Sequence, residues 1–394
     1  MRTTQRHAVV QNSAVNSDPG VEPAQGNDRT ATGRYDRIRR AEPPGSPPEL
    51  LVPLQGAAAT VVNVVSFDSR GLTELKLTSL AQLDELESPD SVLWIDIDGL
   101  SNVELIAAVG KRFQLHTLTV EDILHVHQRA KVEVFDTYIF VVARMLAVQS
   151  GYKTEQLAMV VGPHWVLTFQ EGIPGDPLEP VRHHLRSHVG LLRERGADYL
   201  SYSVLDAVVD GYFPFLEQQG DVLDELEQAI FEGHPPSDVL TQVYEVKRGL
   251  LTLRRAVLPL REALAHLQLE QTTLFALETR PYLRDVSDHA GQLLDHLDVF
   301  REMAAGLIDV HLSLQNHRIN EVVRVLTVLG SIFLPLTVLT GIYGMNFDPD
   351  AGPWNMPELR WAFGYPALIL AMLCITAGSL WYFRRRGWLT RQDW

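Results

Sequence analysis

The hydrophobic positions change their period along this chain, and each change marks a different kind of structure. From Ala57 they fall in short runs: Ala59 to Phe67, Leu72 to Leu77, Ser91 to Ile97, Lys131 to Phe135, Tyr138 to Met145, Glu155 to Val161 and Trp165 to Gln170, with a Gly162-Pro163 turn signal before the last. Valine-rich or alternating runs of this length predict strands. Helical spacing interrupts them over Asn102 to Phe113, Thr119 to His125 and Leu178 to Ser187. Strands mixed with helices in this way predict an α/β domain over residues 56–196.

From Ala197 the period is helical, which gives a stalk region over 197–324. Tyr199 to Phe231 is expected to form one long amphipathic helix, stopped at Gly233-His234-Pro235-Pro236, and Ser237 to Gln271 a second. A third begins near Tyr282 and meets no proline until Pro335. Its apolar or small residues at Leu283, Val286, Ala290, Leu293, Leu297, Phe300, Ala304, Leu307 and Leu314 step by threes and fours, a heptad seam broken only at His311. At ~1.5 Å per residue, a helix from Tyr282 to Asn346 spans about 100 Å. Such a helix needs a partner surface, supplied by the other helices, by further copies of the chain, or by both.

Two apolar runs follow, 325–346 and 362–383. Each meets the roughly 20 residues needed to cross a hydrocarbon core. The loop between them, 347–361, carries Asp348, Asp350 and Glu358 against Arg360. Arg318 and Arg324 precede the first run, and Arg384, Arg385, Arg386 and Arg391 follow the second in a basic tail, 384–394. The positive-inside rule then puts both termini on the cytoplasmic side of a bacterial-type plasma (inner) membrane and the acidic loop outside. Trp354, Trp361, Trp381 and Trp388 fall where an interfacial aromatic belt belongs. The fold expected is an α+β membrane protein: a cytoplasmic α/β domain, a long coiled-coil-like helical stalk and two C-terminal transmembrane helices.

Composition narrows the chemistry. The 394 residues carry a formal net charge of -15, which disfavours a nucleic-acid partner and suits cations. Residues 1–55 are rich in Gly, Pro, Ser, Gln and charge and are expected to form a disordered tail. No apolar core of a secretory signal is present there, and Arg39-Arg40 lacks the hydrophobic stretch of a twin-arginine signal. The single cysteine, Cys374, lies inside the second apolar run, so neither a disulfide framework nor a thiolate zinc site can be built. No Gly-rich phosphate loop, nucleophile elbow or zinc-protease motif occurs, so neither an enzyme nor an organic substrate is expected. His125 and His127, near His116, are two apart and do not share a helix face, so a zinc site there would need irregular backbone. His183, His184 and His188 fit a solvated helix face, and packing explains His289, His296, His311 and His317, with pH sensitivity as the alternative.

Two spans cannot enclose a path for a polar solute, so an aqueous route requires several copies around an axis. Asn320, Val323, Thr327, Gly330, Leu334, Thr337 and Gly341 share one helical stripe. Small and weakly polar residues on that stripe suit helix packing or a narrow water-lined tube, and periodicity leaves both open. Pro335 removes one backbone bond mid-span, which neighbours or water can offset. Asn346, after the flexible Gly344, tips the balance toward a tube. A ring of amide and glycine carbonyl oxygens suits a cation that keeps its water shell, and magnesium dehydrates most reluctantly. The acidic loop raises the local cation concentration.

Asn320-Glu321-Val322, Leu326-Thr327, Phe333-Leu334-Pro335-Leu336-Thr337, Gly341-Ile342, the Gly344-Met345-Asn346 triplet and Met356-Pro357-Glu358-Leu359 resemble the CorA magnesium transporters in order and spacing. The resemblance continues upstream at Glu121-Asp122-Ile123-Leu124, His127-Gln128-Arg129, Lys131-Val132-Glu133 and Pro281 to Val286, and covers roughly residues 57–394. It implies a homopentamer with a cytoplasmic funnel that passes magnesium, and often cobalt or nickel, down the membrane potential. Gly344, Met345 and Asn346 would form the outer filter, Asn320 a polar ring near the cytosolic end, and Leu326 with Val323 a hydrophobic constriction. Thr337 would face the lumen, and Asp309 would form an acidic ring lower on the axis. Relatives often carry methionine at the position of Val323, which leaves the tightness of that constriction open. The resemblance also implies a regulatory magnesium site between subunits, with Asp285 of one facing Glu121 and Asp122 of its neighbour. Without the resemblance, those two acids fit the first turn of a helix, where carboxylates are favoured anyway. A zinc or cobalt transporter or exporter and a membrane-tethered scaffold without transport are the alternatives, and the intact Met345 argues against a zinc exporter.

Overall fold

In the α/β part, neighbouring residues on each central strand go to opposite faces of one sheet, and each face has its own core. Val64 packs on one side with Ile95, Ile106, Val109 and Ile123, while Val65 packs on the other with Trp94, Val141, Leu200 and Val204. The strands are β1 (Val61–Phe67), β2 (Leu72–Lys76), β3 (Val92–Asp98), β4 (Lys131–Val134), β5 (Ile139–Leu146), β6 (Thr154–Val161) and β7 (Trp165–Gln170). They form one seven-stranded sheet in the order β2-β1-β3-β7-β6-β5-β4. Only β3 and β7 run parallel; the other neighbours are antiparallel. The inner strands lack the polar alternation of a half-exposed sheet because both faces are covered. The computed structural model describes residues 56–389 apart from 87, 89, 148–150, 176, 271 and 351. The tail over 1–55 and Arg391 lie outside the described residues.

Helices α1 (Leu83–Leu86), α2 (Val103–Arg112), α3 (Thr117–Leu124) and α4 (Glu179–Ser187) flank the sheet. The helical part holds α5 (Ala197–Asp210), α6 (Phe213–Phe231), α7 (Val239–Leu269), α8 (Arg280–Tyr343) and α9 (Gly364–Arg385). The single helix expected over Tyr199 to Phe231 is in fact two. Gly211 closes α5 by donating to the Ala207 carbonyl, and Pro214, in the first turn of α6, has no N–H to continue the ladder.

Most of the heptad seam of α8 is buried as its spacing predicts: Leu283, Val286, Ala290, Leu293, Leu297, Ala304 and Leu307 face α5, α6 and α7, Phe300 is partly buried, and Leu314, past the end of this packing, is exposed. Each buried leucine contributes about 2 kcal/mol of apolar burial. His311, the break in the pattern, keeps the register and is itself buried, 8% exposed. Beyond it most side chains turn outward, and Val328 is the one buried residue in the rest of α8. Among the described residues, two helices are long and apolar enough to cross a membrane, α8 and α9, with mean hydropathy 2.1 and 1.7 in their most apolar windows. Only 11% and 6% of those windows are buried within the chain, so they are not core helices of a soluble protein. The two helices touch each other, and Cys374 lies exposed on α9.

Candidate metal centre

Where α5 packs on α8, four ionisable side chains converge. Asp206 and Asp210 are one turn apart on α5, and Asp285 and His289 are one turn apart on α8, so each pair shares a helix face. Ligand atoms of Asp206, Asp210 and His289 lie within 4.8 Å of one another. His289 Nδ1 is 3.8 Å from Asp210 Oδ1, and His289 Nε2 is 3.9 Å from Asp285 Oδ2. Both contacts exceed hydrogen-bonding distance. Asp206 Oδ1 and His289 Nδ1 are buried without a hydrogen-bond partner; Asp206 Oδ2 accepts from Tyr202 Oη at 3.5 Å.

Burial first, and then crowding of like charge, perturbs these groups. Burial, followed by the nearby Asp210 and Asp285 charges, pushes the Asp206 carboxyl up to about 6, against the opposing pull of His289. Burial also raises Asp210, with His289 opposing and Asp285 assisting. A divalent cation here would satisfy both orphaned atoms and remove the carboxylate repulsion, so the donor set fits a metal. Carboxylates suit magnesium, and an imidazole extends the range to cobalt, nickel and zinc. Asp206 and Asp210 also line a cleft of about 740 Å³ with Tyr199, Tyr202 and Phe215.

Of this cluster, only Asp285 is singled out by the sequence. Asp206, Asp210 and His289 are missed, although two pairs of metal-type ligands at one-turn spacing on apolar helices are a readable signal. Their convergence is not, because α5 and α8 are joined only through two intervening helices.

The two acids of α3 are differently placed. The helix starts at Thr117, where the His116 side chain accepts from Leu118 N at 3.2 Å, and no acid lies in its first turn. The first-turn explanation for Glu121 and Asp122 is therefore incorrect. Glu121 Oε1 is 3.8 Å from His125 Nδ1, and its Oε2 is buried with no hydrogen-bond partner. Asp122 is fully engaged: Gln128 Nε2 donates to Oδ1 at 2.6 Å and Lys131 Nζ to Oδ2 at 2.5 Å. Burial alone would lower the Lys131 pKa, but its bonds to Asp122 and Glu133 outweigh that and raise it. No hydrogen bond or ion pair joins Asp285 to Glu121 or Asp122 within one chain. Among the described residues, His116, His125 and His127 form no metal-type cluster.

The stripe of the first span lies on α8, with Asn320, Val323, Leu326, Thr327, Gly330, Leu334, Thr337 and Gly341 all exposed. Thr327 and Thr337 donate their hydroxyl protons to the carbonyls of Val323 and Phe333, at 2.7 and 2.8 Å. Each hydroxyl thus spends its proton inside the helix and keeps its oxygen lone pairs outward. A Cβ at Gly330 or Gly341 would meet nothing within 4 Å. Asp309 is exposed on the same helix. The helix stops at Tyr343 rather than Asn346: Gly344 N bonds Thr340 O and Met345 N bonds Ile342 O, which leaves Met345 and Asn346 in the turn beyond. In the loop, Asp348 Oδ1 accepts from Asp350 N, Asp350 pairs with Arg360, and Glu358 accepts from Tyr343 Oη.

An α/β domain on a long helical stalk, two membrane-length helices and a partly exposed acid/histidine cluster of metal-ligand type define a membrane protein suited to divalent metal ions. Residues 89–385 match the family described as CorA-like Mg2+ transporter protein. The cobalt/magnesium transport protein CorA of Thermotoga maritima is 39% identical over 331 residues, which is 83% of this chain and 92% of that protein. The putative metal ion transporter YfjQ of Bacillus subtilis is 32% identical over 319 residues, 80% of this chain and 96% of the other. The solved structure of the CorA magnesium transporter from Methanocaldococcus jannaschii shares the fold, with a TM-score of 0.67 at 24% identity over 83% of this chain and 98% of that one. The chain belongs to the CorA-like Mg2+ transporter family. Its function is CorA-type divalent-cation transport, and it is not an enzyme.

Proposed function

We propose that five copies of this chain form a channel that admits hydrated magnesium, with cobalt and nickel as further permeant ions. The observation that carries this reading is the continuity of α8. One helix of 64 residues bears Asp285 and His289 near its start and leads at its far end into Gly344-Met345-Asn346. A metal bound at the first site can therefore bias the second through a single rigid element. Around a five-fold axis, the neutral oxygens of Asn346 and Gly344 would contact the ion's water shell, and Asp348, Asp350 and Glu358 would concentrate cations at the outer mouth. Asn320 and Asp309 would form polar and acidic rings toward the cytoplasm, with Val323 and Leu326 as the apolar constriction. An inward potential contributes about 2.3 kcal/mol per charge per 100 mV, so a doubly charged ion needs no pump.

Regulation follows from charge. Asp285 would face Glu121 and Asp122 of the neighbouring subunit, with Asp206, Asp210 and His289 completing the donor set behind it. A bound divalent cation offsets the repulsion among these groups and favours the closed state, and its loss shifts the population toward open forms. His289 favours a second reading, in which cobalt rather than magnesium is the physiological regulator. Side-by-side flux of magnesium, cobalt, nickel and zinc into liposomes, with the mass of the cross-linked assembly, tests the proposal. Asn346→Ala should lower magnesium flux or selectivity at least tenfold without changing the assembled mass. Unchanged flux, or an assembly of fewer than five copies, would overturn it.

A further inference from the structure

Asp122 is singled out above as a regulatory ligand, yet its carboxylate is already occupied. Gln128 holds one oxygen at 2.6 Å and the Lys131 ammonium holds the other at 2.5 Å. Lys131 is not committed to Asp122 alone. Its Nζ also donates to Glu133 Oε1 at 2.6 Å, two residues along β4, and lies 5.5 Å from the centre of the Phe140 ring. The ammonium thus stands between two carboxylates, on an aromatic floor, with Lys131 and Asp122 side chains 29% and 20% exposed. Glu121, next to Asp122, has no such tenant, and its buried Oε2 lacks a hydrogen-bond partner. The two acids of α3 therefore differ: Glu121 lies 3.8 Å from His125 and keeps one buried oxygen unpartnered, whereas Asp122 is held by an ammonium that belongs to the chain.

We infer that Lys131 is an internal competitor for the regulatory cation, displaced from Asp122 onto Glu133 when a divalent ion binds. An ammonium and a divalent cation repel and cannot both sit unscreened on one carboxylate oxygen. Metal binding at Asp122 is thus an exchange, and its apparent affinity falls by the fraction of the protein in which Lys131 already holds the site. Glu133 sets that fraction by offering the ammonium a second place to stand. The pair raises the magnesium concentration at which the site fills, so that it responds to changes in an abundant ion instead of remaining saturated. The inference rests on the reading of Asp122 as a metal ligand, and its test separates the two.

The measurement is magnesium titration of protease resistance in the full-length protein in detergent, which reports binding without transport. Lys131→Met should move the midpoint down by about fivefold or more, and Glu133→Gln should move it up by about threefold. General charge effects would give the same signs, so the decisive comparison is the double mutant. If Glu133 acts by accommodating Lys131, then Glu133→Gln has no effect in the Lys131→Met background. Additive shifts would mean that both residues act only through net charge, and the inference would fall. Asp122→Asn is the control: if it leaves the midpoint unmoved, Asp122 is not a ligand and the regulatory reading fails instead. Lys131→Gln replaces Lys131→Met if the latter does not reach the wild-type melting temperature without magnesium.

Discussion

At the scale of single residues, Glu155 shows how the sheet stores a charge that neither the strand pattern nor the composition announces. It sits on β6 at 3% exposure, and its Oε1 accepts from Gly172 N at 2.8 Å and Ile173 N at 3.3 Å. Burial pushes its carboxyl up to about 7, the two backbone donors pull against that, and Glu171 and Asp98 add to the rise. The folded state therefore holds this proton more tightly than the unfolded chain, whose carboxyl has the ordinary glutamate value of 4.5. The contribution of Glu155 to stability is most favourable below the unfolded value, declines as pH rises toward 7, and stays unfavourable above it. Glu155→Gln keeps the acceptor and removes the charge. It should raise thermal stability at pH 8 by roughly 1–3 kcal/mol and have little effect at pH 4.5. Melting curves of variant and wild type in detergent across that range check it; a constant difference between them would refute the assignment. Residues of this kind are illegible in sequence, where Glu155 only marks the start of a strand.

At the scale of elements, α6 is fixed to α8 at two glycines. A Cβ on Gly220 would lie 2.9 Å from Phe300 Cζ, so the ring occupies the space a side chain would need. Near the far end of α6, Gly233 adopts φ +80, and Arg318 Nη2 donates to its carbonyl at 2.9 Å. A guanidinium at a helix C-terminus meets the negative end of the dipole and a free carbonyl together. Gly220→Val should destabilise the protein by about 1–3 kcal/mol through overpacking against Phe300. Arg318→Ala should speed hydrogen exchange over residues 230–238 several-fold, with Arg318→Lys restoring part of the protection through charge alone. The glycine stop at Gly233 is visible in sequence. Its partner is not, because Arg318 is a distant residue that the charge pattern assigns to the membrane flank. The division of Tyr199 to Phe231 into two helices was also open to reading, since Gly211 and Pro214 are ordinary break signals, but the amphipathic period runs through them.

At the scale of the whole molecule, the α5–α8 cluster is the candidate metal site on the long helix, and the regulatory role proposed for it can be tested. Asp206→Asn with His289→Gln should raise the magnesium concentration needed for protease resistance and abolish any preference for cobalt over magnesium, since the imidazole is the only nitrogen donor in the set. His289→Gln alone should remove the cobalt preference and leave most of the magnesium response. Equal responses to both metals in wild type would assign His289 to packing, as its sequence context suggests. The stripe on α8 belongs to this scale as well. Its exposed glycines and back-bonded threonines are complete within one helix, and their proposed role depends on the copies around them.

The sequence alone determined whatever rests on local period and length. The strands, most of the buried seam of α8 and the two membrane-length helices belong here, because periodicity and apolar run length depend on residues within a few turns of each other. It also carried the family resemblance, since ordered motifs need no coordinates. The tertiary structure decided what depends on contact across the chain: the parallel pairing of β3 with β7, the meeting of Asp206 and Asp210 with His289, and the capture of Asp122 by Lys131. Burial and charge at those places are properties of an enclosed volume, and side chains from separate elements must fold together before that volume exists.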